Sequence, residues 1–298
     1  MTRPFRLLVT PPMSGPANMA VDETLLTSRL RGAGPPTIRF YGWDPATISL
    51  GYGQPLDERI DLAAAAAAGI GLVRRATGGS AVLHGGPEIE LTYSVVAMSE
   101  DLAEACDLHS VYRWIGVALA SGLKSLGAPV EMVRTRPSDV ATMPAFCFLR
   151  TGSYELEVGG RKIAGSAQRR RRGGFLQHGS VMLAADEACL RRVFPADEDP
   201  LAGMTTLETV LGHRPSFDET AEALAGGFRA AHHVELRPGD LDAEEADLVA
   251  TLTWDKYATR SWTEAGRVAE SESSRASAST RGVRDLVGSV EVTRVTEG

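Results

Sequence analysis

Apolar positions along the chain recur with two periods, near 2 and near 3.6 residues, and their order predicts a mixed α/β fold. Short runs rich in β-branched and aromatic residues predict strands at 5–10, 37–43, 47–54, 89–96 and 130–133, the second and third joined around the turn pair Asp44-Pro45. Met19, Leu25, Leu26 and Leu30 fall near the helical period after the Gly15-Pro16 breaker and predict a helix over 17–30. The alanine run at 61–68 predicts a second helix, stopped by Gly69 and followed by a strand through Val73. Val111, Ile115, Leu119 and Leu123 repeat at i+4, and Trp114, Ala118 and Leu126 widen the stripe, which predicts one long helix over 101–127. After Leu183, helical patterns at 186–194, 216–233 and 243–257 predict a mostly helical covering region. Residues 268–282 are polar and Ser-rich without periodicity, so 264–298 reads as a flexible linker and tail, with 286–295 able to form one edge strand.

The sharpest local signal is SYELEV-GG-RKIAGSA (153–167), two strands around a Gly-Gly loop whose glycines supply positive φ. That loop sets Val158 opposite Arg161 and Glu157 opposite Lys162. Lys162, Ala164 and Ser166 then share a side with Glu155 and Glu157, and Ile163 joins Leu156 and Val158 on the apolar side.

With 298 residues, 43% of them hydrophobic, the chain can bury a substantial core, as one large domain or two unequal ones. A net charge of −7 argues against nucleic-acid binding. Three scattered cysteines, Cys106, Cys147 and Cys189, form neither a disulfide framework nor a metal-ligand spacing and suit a reducing cytoplasm. No segment reaches the roughly 18 apolar residues of a membrane span, and MTRPFRLLVTPPMSG does not read as a signal peptide, so no membrane role is expected.

The candidate chemistry gathers in 146–183, which holds Cys147 between two phenylalanines, Lys162 in a GRKIAGSAQ run and His178 in a QHGS run. Each has a plain structural alternative. Cys147 alone reads as a small buried hydrophobe, like Cys106 and Cys189 on their helices. Lys162 opposite Glu157 reads as an exposed ion pair worth at most roughly 1 kcal/mol. The segment RRATGGSAVLHG (74–85) is either an ordinary hairpin turn, with His84 a structural histidine, or a loop whose glycines let backbone approach a ligand; it lacks the phosphate-loop signature. Asn18 and Asp22 either complement a helix dipole or belong to a site. Arg169–Arg172, closed by two glycines, is either a solvated turn or a docking patch for an acidic partner.

RRATGGSAVLH, ELTYS, CF followed by YELEV, GRKIAGSAQ and LQHGSVML, in that order, resemble the motifs of the lipoate-protein ligase and octanoyltransferase superfamily. NMAVDE, RFYGWDPATISLGYGQ and KYATRSW extend the resemblance over residues 5 to 263, which implies one acyltransferase catalytic domain over 1–263. It implies a biotin/lipoate ligase-like fold of mixed sheets packed with helices. The cysteine ahead of the Tyr-Glu strand is similar to that of the cysteine-dependent octanoyltransferases. There Cys147 would accept octanoyl from an acyl carrier protein as a thioester, and Lys162 would lower its pKa and polarise the acyl carbonyl. Arg74, Arg75, Gly78 and Gly79 match the Arg-Arg-x-x-Gly-Gly loop and, with His84, Gly165, Ser166, His178 and Gly179, would line the acyl slot. The acceptor would be a lysine of a lipoyl domain, such as glycine cleavage H protein or 2-oxoacid dehydrogenase E2. No cofactor or metal is implied; ATP and Mg would enter only in the alternative of a lipoate-protein ligase. An amidotransferase between lipoyl proteins and a non-catalytic acyl- or lipoate-binding protein are further alternatives. The link Gly85–Ile89 is longer than the family's usual one.

Overall fold

Strand β2 (Thr37–Tyr41) is buried along its whole length and shows how the core is divided. Ile38 and Phe40 point into one apolar cluster and Tyr41 into another, as a strand's period of two requires when both faces of its sheet are covered. The computed structural model describes residues 4–102, 107–133, 154–195, 199 and 201–266. Cys106, Cys147, the tail 267–298 and its predicted edge strand lie outside the described residues.

The other strands are β1 (Phe5–Val9), β3 (Thr47–Leu50), β4 (Gly71–Arg74), β5 (Val82–His84), β6 (Glu90–Met98), β7 (Glu131–Met132), β8 (Leu156–Val158), β9 (Arg161–Arg171), β10 (Gly174–Met182) and β11 (Leu236–Pro238). They build a mixed eight-stranded sheet in the order β11-β1-β2-β6-β10-β9-β8-β7 and a three-stranded sheet β4-β3-β5. Helices α3 (Leu108–Ser125) and α6 (Phe217–His232) cover one face of the large sheet, burying Val111, Trp114, Ile115, Leu119, Leu224 and Phe228 against Phe5, Ile38, Phe40 and Val95. Helix α1 (Gly15–Leu30) takes the other face through Met19, Leu25 and Leu26. The short helices α2 (Leu62–Ala67) and α4 (Glu187–Val193) close the small sheet.

Several elements depart from the periodicity. The helix predicted over 101–127 begins only at Leu108, where Asp107 accepts from the Ser110 amide at 2.8 Å. Asp101 cannot extend it, because its carboxylate is held by Arg29 and by the Met98 amide and Leu102 is extended. The segment 74–85 is not a hairpin: β4 lies parallel and β5 antiparallel on opposite sides of β3, so residues 75–81 cross between them as a loop. The strands predicted at 37–43 and 47–54 part into different sheets. Arg169–Arg171 extend β9 rather than forming a turn, which shrinks to Arg172 and Gly173, both at positive φ.

The predicted hairpin of β8 and β9 forms with Gly159 at φ 56° and Gly160 at φ 75°, and Glu157 faces Lys162. A β-bulge then shifts the register, so that Leu156 faces Ala164. The C-terminal cover is helical in α5 (Leu207–Leu211), α6, α7 (Ala243–Leu252), a π-helical turn at Thr253–Tyr257 and α8 (Arg260–Ala265), but β11 also joins the sheet edge parallel to β1. No helix among the described residues is long and apolar enough to cross a membrane.

Candidate functional site

A cleft enclosing about 460 Å³ of empty space, its mouth included, opens between the large sheet and the small one. Its wall is assembled from far-apart parts of the chain: Met19 of α1, Trp43 after β2, Ser49 of β3, the 75–81 loop, His84 of β5, and facing residues of β9 and β10. Gly165 and Gly179 lie in that β9–β10 face. A Cβ at Gly179 would strike the Gly165 carbonyl oxygen and come within 2.9 Å of Tyr93 Cε1, so only glycine keeps these strands in contact while leaving the cleft open. Beside them Ser166 Oγ and Tyr93 Oη lie 2.7 Å apart. Burial, eased by hydrogen bonds with Gln177 and Ser166, pushes the Tyr93 phenol up to about 12.

His178 sits at the centre of the wall. Its Nδ1 is 3.0 Å from Asp22 Oδ2 and its Nε2 is 2.7 Å from Thr77 Oγ1. Burial alone would raise Asp22, but the hydrogen bond from His178, the Arg39 guanidinium and the Ser94 hydroxyl outweigh it, leaving a carboxylate below its ordinary range. That carboxylate has no hydrogen to give, so Nδ1 donates. Burial pushes His178 down against the pull of Asp22, the imidazole is neutral, and Nε2 accepts from the Thr77 hydroxyl. The Gly-rich loop is thereby tied to β10 and, through Asp22, to α1.

His84 repeats the pattern. Its Nδ1 lies 2.7 Å from Glu90 Oε1 and its Nε2 2.8 Å from Ser49 Oγ, while Trp43 stacks on the ring at a centroid distance of 3.8 Å. Trp43 donates its indole N–H to Thr92, whose hydroxyl donates to Glu90. Arg75 donates to the carbonyls of Ser49, Gly78 and Ser80 and to the Ser49 hydroxyl, and so shapes the loop around Gly79.

Of the residues predicted for the site, the structure brings Arg75, Gly79, His84, Gly165, Ser166, His178 and Gly179 together on the cleft wall. Gly78 is in the same loop but not on that wall. Arg74 faces away: it donates to the carbonyls of Gly51, Tyr52 and Gln54 on one side and of Thr263 and Glu264 in α8 on the other. Lys162, three residues before Gly165 on β9, is 1% exposed, and its Nζ lies 2.7 Å from Glu155 Oε1. Glu157 still faces Lys162 in register, but the amine pairs with Glu155, so the expected exposed pair is replaced by a buried one. Cys147 lies outside the described residues. Cys189 is half-buried on α4 with its thiol pushed up by burial, as a packing cysteine should be.

Asn18 and Asp22 are not solvent-facing complements of a helix dipole. Both are fully buried, Asn18 bridging the carbonyls of Met13 and Gly42, Asp22 taking bonds from Arg39, Tyr41, Ser94 and His178. Their signal was available in the sequence: Asp22 stands between Met19 and Leu26 on the buried stripe of α1, where an acid needs partners. Thr77, Tyr93, Glu90 and Ser49 carried no comparable signal, because their partners come from strands remote in sequence.

Residues 14–229 match the family model of the lipoyl protein ligase A/B catalytic domain. The chain is similar to octanoyltransferase LipM of Symbiobacterium thermophilum, 41% identical over 271 residues that cover 87% of this chain and 97% of that one. It is also similar to octanoyltransferase LipM of Bacillus subtilis, 36% identical with 82% and 92% covered. A solved lipoate-protein ligase A bound with ATP superposes with a TM-score of 0.74 at 26% identity, covering 88% of this chain and 99% of that one. A bipartite lipoate protein ligase studied with its E2 lipoyl domain from Thermoplasma acidophilum gives a TM-score of 0.71 at 25% identity, with 90% and 99% covered. Sequence and architecture agree over the segments that build the cleft, and the chain belongs to the lipoyl protein ligase A/B catalytic domain family.

Proposed function

We propose that this octanoyltransferase of lipoate biosynthesis works in the cytoplasm through a thioester on Cys147, taking its acyl group from octanoyl-acyl carrier protein and passing it to a lysine of a lipoyl domain. The Cys147 thiolate attacks the donor's thioester carbonyl, the donor C–S bond breaks, and the carrier leaves as a thiolate that takes up a proton. The acceptor amine then attacks the acyl-enzyme, the new C–S bond breaks, and the amine's proton ends on the released Cys147 sulfur. The first exchange is nearly balanced in free energy and the amide drives the second, so neither ATP nor a metal is needed.

The observation that carries this reading is Lys162. A lysine with 1% of its side chain exposed needs a partner to hold its proton, and Glu155 at 2.7 Å supplies one. It is thus a fixed cation next to the cleft-lining stretch of β9. A free thiol, with an ordinary pKa of about 8.5, is only partly ionised near neutrality and needs such a neighbour. The octanoyltransferase relatives support the acyl group, and the ligase solved with its E2 lipoyl domain supports the acceptor class.

Incubation with octanoyl-acyl carrier protein without ATP, followed by intact mass, should show one octanoyl adduct. The adduct should vanish in Cys147→Ser and form far more slowly in Lys162→Met. No adduct, with lipoylation appearing only on addition of lipoate and ATP, would overturn the proposal in favour of a ligase.

A further inference from the structure

The outer half of β9 carries more positive charge than the fold uses. Side chains alternate along a strand, so Arg169 and Arg171 share a face with Ala167, which lines the cleft. Together with Glu23, Thr27 and Ala76 they border a shallow depression beyond the Gly-rich loop. The single acid there, Glu23, is already answered by Lys256 at 2.5 Å and by the Tyr257 hydroxyl at 2.7 Å. Among the described residues, Arg169, Arg171 and Arg172 form no ion pair. Arg169 donates to the Ala76 carbonyl at 3.3 Å and lies 5.8 Å from the ring centre of Tyr52, a tyrosine 49% exposed whose amide bonds to Thr77 of the Gly-rich loop. On a chain of net charge −7, three uncompensated cations and an exposed aromatic ring, continuous with the wall of the cleft, are a local inversion of the surface field.

We propose that this rim, Arg169 beside Tyr52 with Arg171 further out on β9 and Arg172 in the turn after it, docks the acidic body of the carrier protein that delivers the acyl group. The inference rests on the transfer reaction proposed above and adds the surface that recognises the donor. Distance favours donor over acceptor. A strand rises about 3.4 Å per residue, so Arg169 stands about 14 Å and Arg171 about 20 Å along β9 from Gly165 in the cleft wall. A carrier holds its acyl group at the end of a long flexible arm and can rest its body that far away. An acceptor lysine has only four methylenes and must bring its own backbone to the cleft mouth.

The test compares two octanoyl donors: the acyl carrier protein and the small uncharged thioester octanoyl-N-acetylcysteamine. The rate of acyl-adduct formation is followed by intact mass at low and at raised salt. In Arg169→Gln/Arg171→Gln, kcat/KM with the carrier should fall about tenfold or more at low salt and the difference should shrink as salt rises, because rim charges act on encounter. With the small thioester the rate should not change, and neither should KM for the lipoyl domain in the second step. Arg171→Gln/Arg172→Gln, which leaves the contact to Ala76 intact, should show the same selective loss. Equal loss on both donors, a rise in KM for the lipoyl domain alone, or unchanged carrier kinetics overturns the docking surface. A wild-type protein acylated by neither donor removes the transfer reaction itself, and the surface with it.

Discussion

Replacing Glu155 by Gln is the cleanest way to probe the buried pair it forms with Lys162 at the start of β9. The two side chains are 8% and 1% exposed, and their charged atoms lie 2.7 Å apart. Removing one member of a buried pair strands the other charge away from water, which costs about 3–5 kcal/mol. Glu155→Gln should therefore lose roughly that much stability, towards the low end because an amide oxygen can still accept from the ammonium. Lys162→Met should also lose stability, but less, since the Ser166 amide still donates to the carboxylate it leaves behind. The double variant removes both charges while keeping similar volumes, and replacing a whole buried pair by neutral groups is often close to neutral. Its loss should be smaller than that of the worse single variant. Urea unfolding of the four proteins gives the three differences directly, and the slopes should agree if only stability has changed. Additive losses would refute the reasoning, because they would mean that each side chain is held by other contacts and that the pair does not keep Lys162 charged.

Two further perturbations reach other parts of the cleft. Burial holds His178 below its ordinary range in the folded protein, so it is neutral there, whereas the unfolded chain takes up a proton near pH 6.5. Its contribution is complete above about pH 6.5 and declines as pH falls towards the folded value, with a slope of up to about 1.4 kcal/mol per pH unit. The urea midpoint of the wild type should drop between about pH 7.5 and about pH 5.5, and His178→Gln should flatten that drop; an equal slope in both proteins would sink the assignment. Arg74 links the loop after β3 to α8 through carbonyls on both sides, a span that one ammonium cannot cover. Arg74→Lys should speed amide exchange in 260–266 while leaving β10 protected, and unchanged exchange would mean that α8 is held by Trp262 alone.

What could be read from the sequence was local. The hairpin of β8 and β9 was legible because two adjacent glycines at positive φ leave few alternatives, and the facing of Glu157 and Lys162 followed from it. The bulge between Leu156 and Glu157 was not, since nothing in ELEVGGRKIAG marks which residue is left unpaired, and neither was the choice of buried Glu155 over the facing Glu157 as the lysine's partner. Arg74 and Arg75 are adjacent in the chain and read as one motif, yet period-two alternation sends Arg75 to the loop and Arg74 to α8. The end of β9 misled for the opposite reason. Four arginines and two glycines have the composition of a turn, and only the partner strand β10 draws three of those arginines into the ladder.

The cleft wall poses a sharper problem, because its residue types do not look like a site for a hydrocarbon chain. Seven of its fifteen lining residues are serine, threonine, histidine or arginine. The structure resolves this by pairing. His178 is closed by Asp22 on one nitrogen and Thr77 on the other, His84 by Glu90 and Ser49, and Arg75 by backbone carbonyls. A histidine bonded at both ring nitrogens has little left to offer a ligand, and Met19, Trp43, Val82 and Ala167 stand beside the two in the lining. Each histidine is also fixed at both ring nitrogens, so the wall is rigid as well as dry in character. The same economy holds for Lys162, which stands apart from the lining with its charge met by Glu155 inside the protein: a cation exposed to the slot would spoil it for an acyl chain.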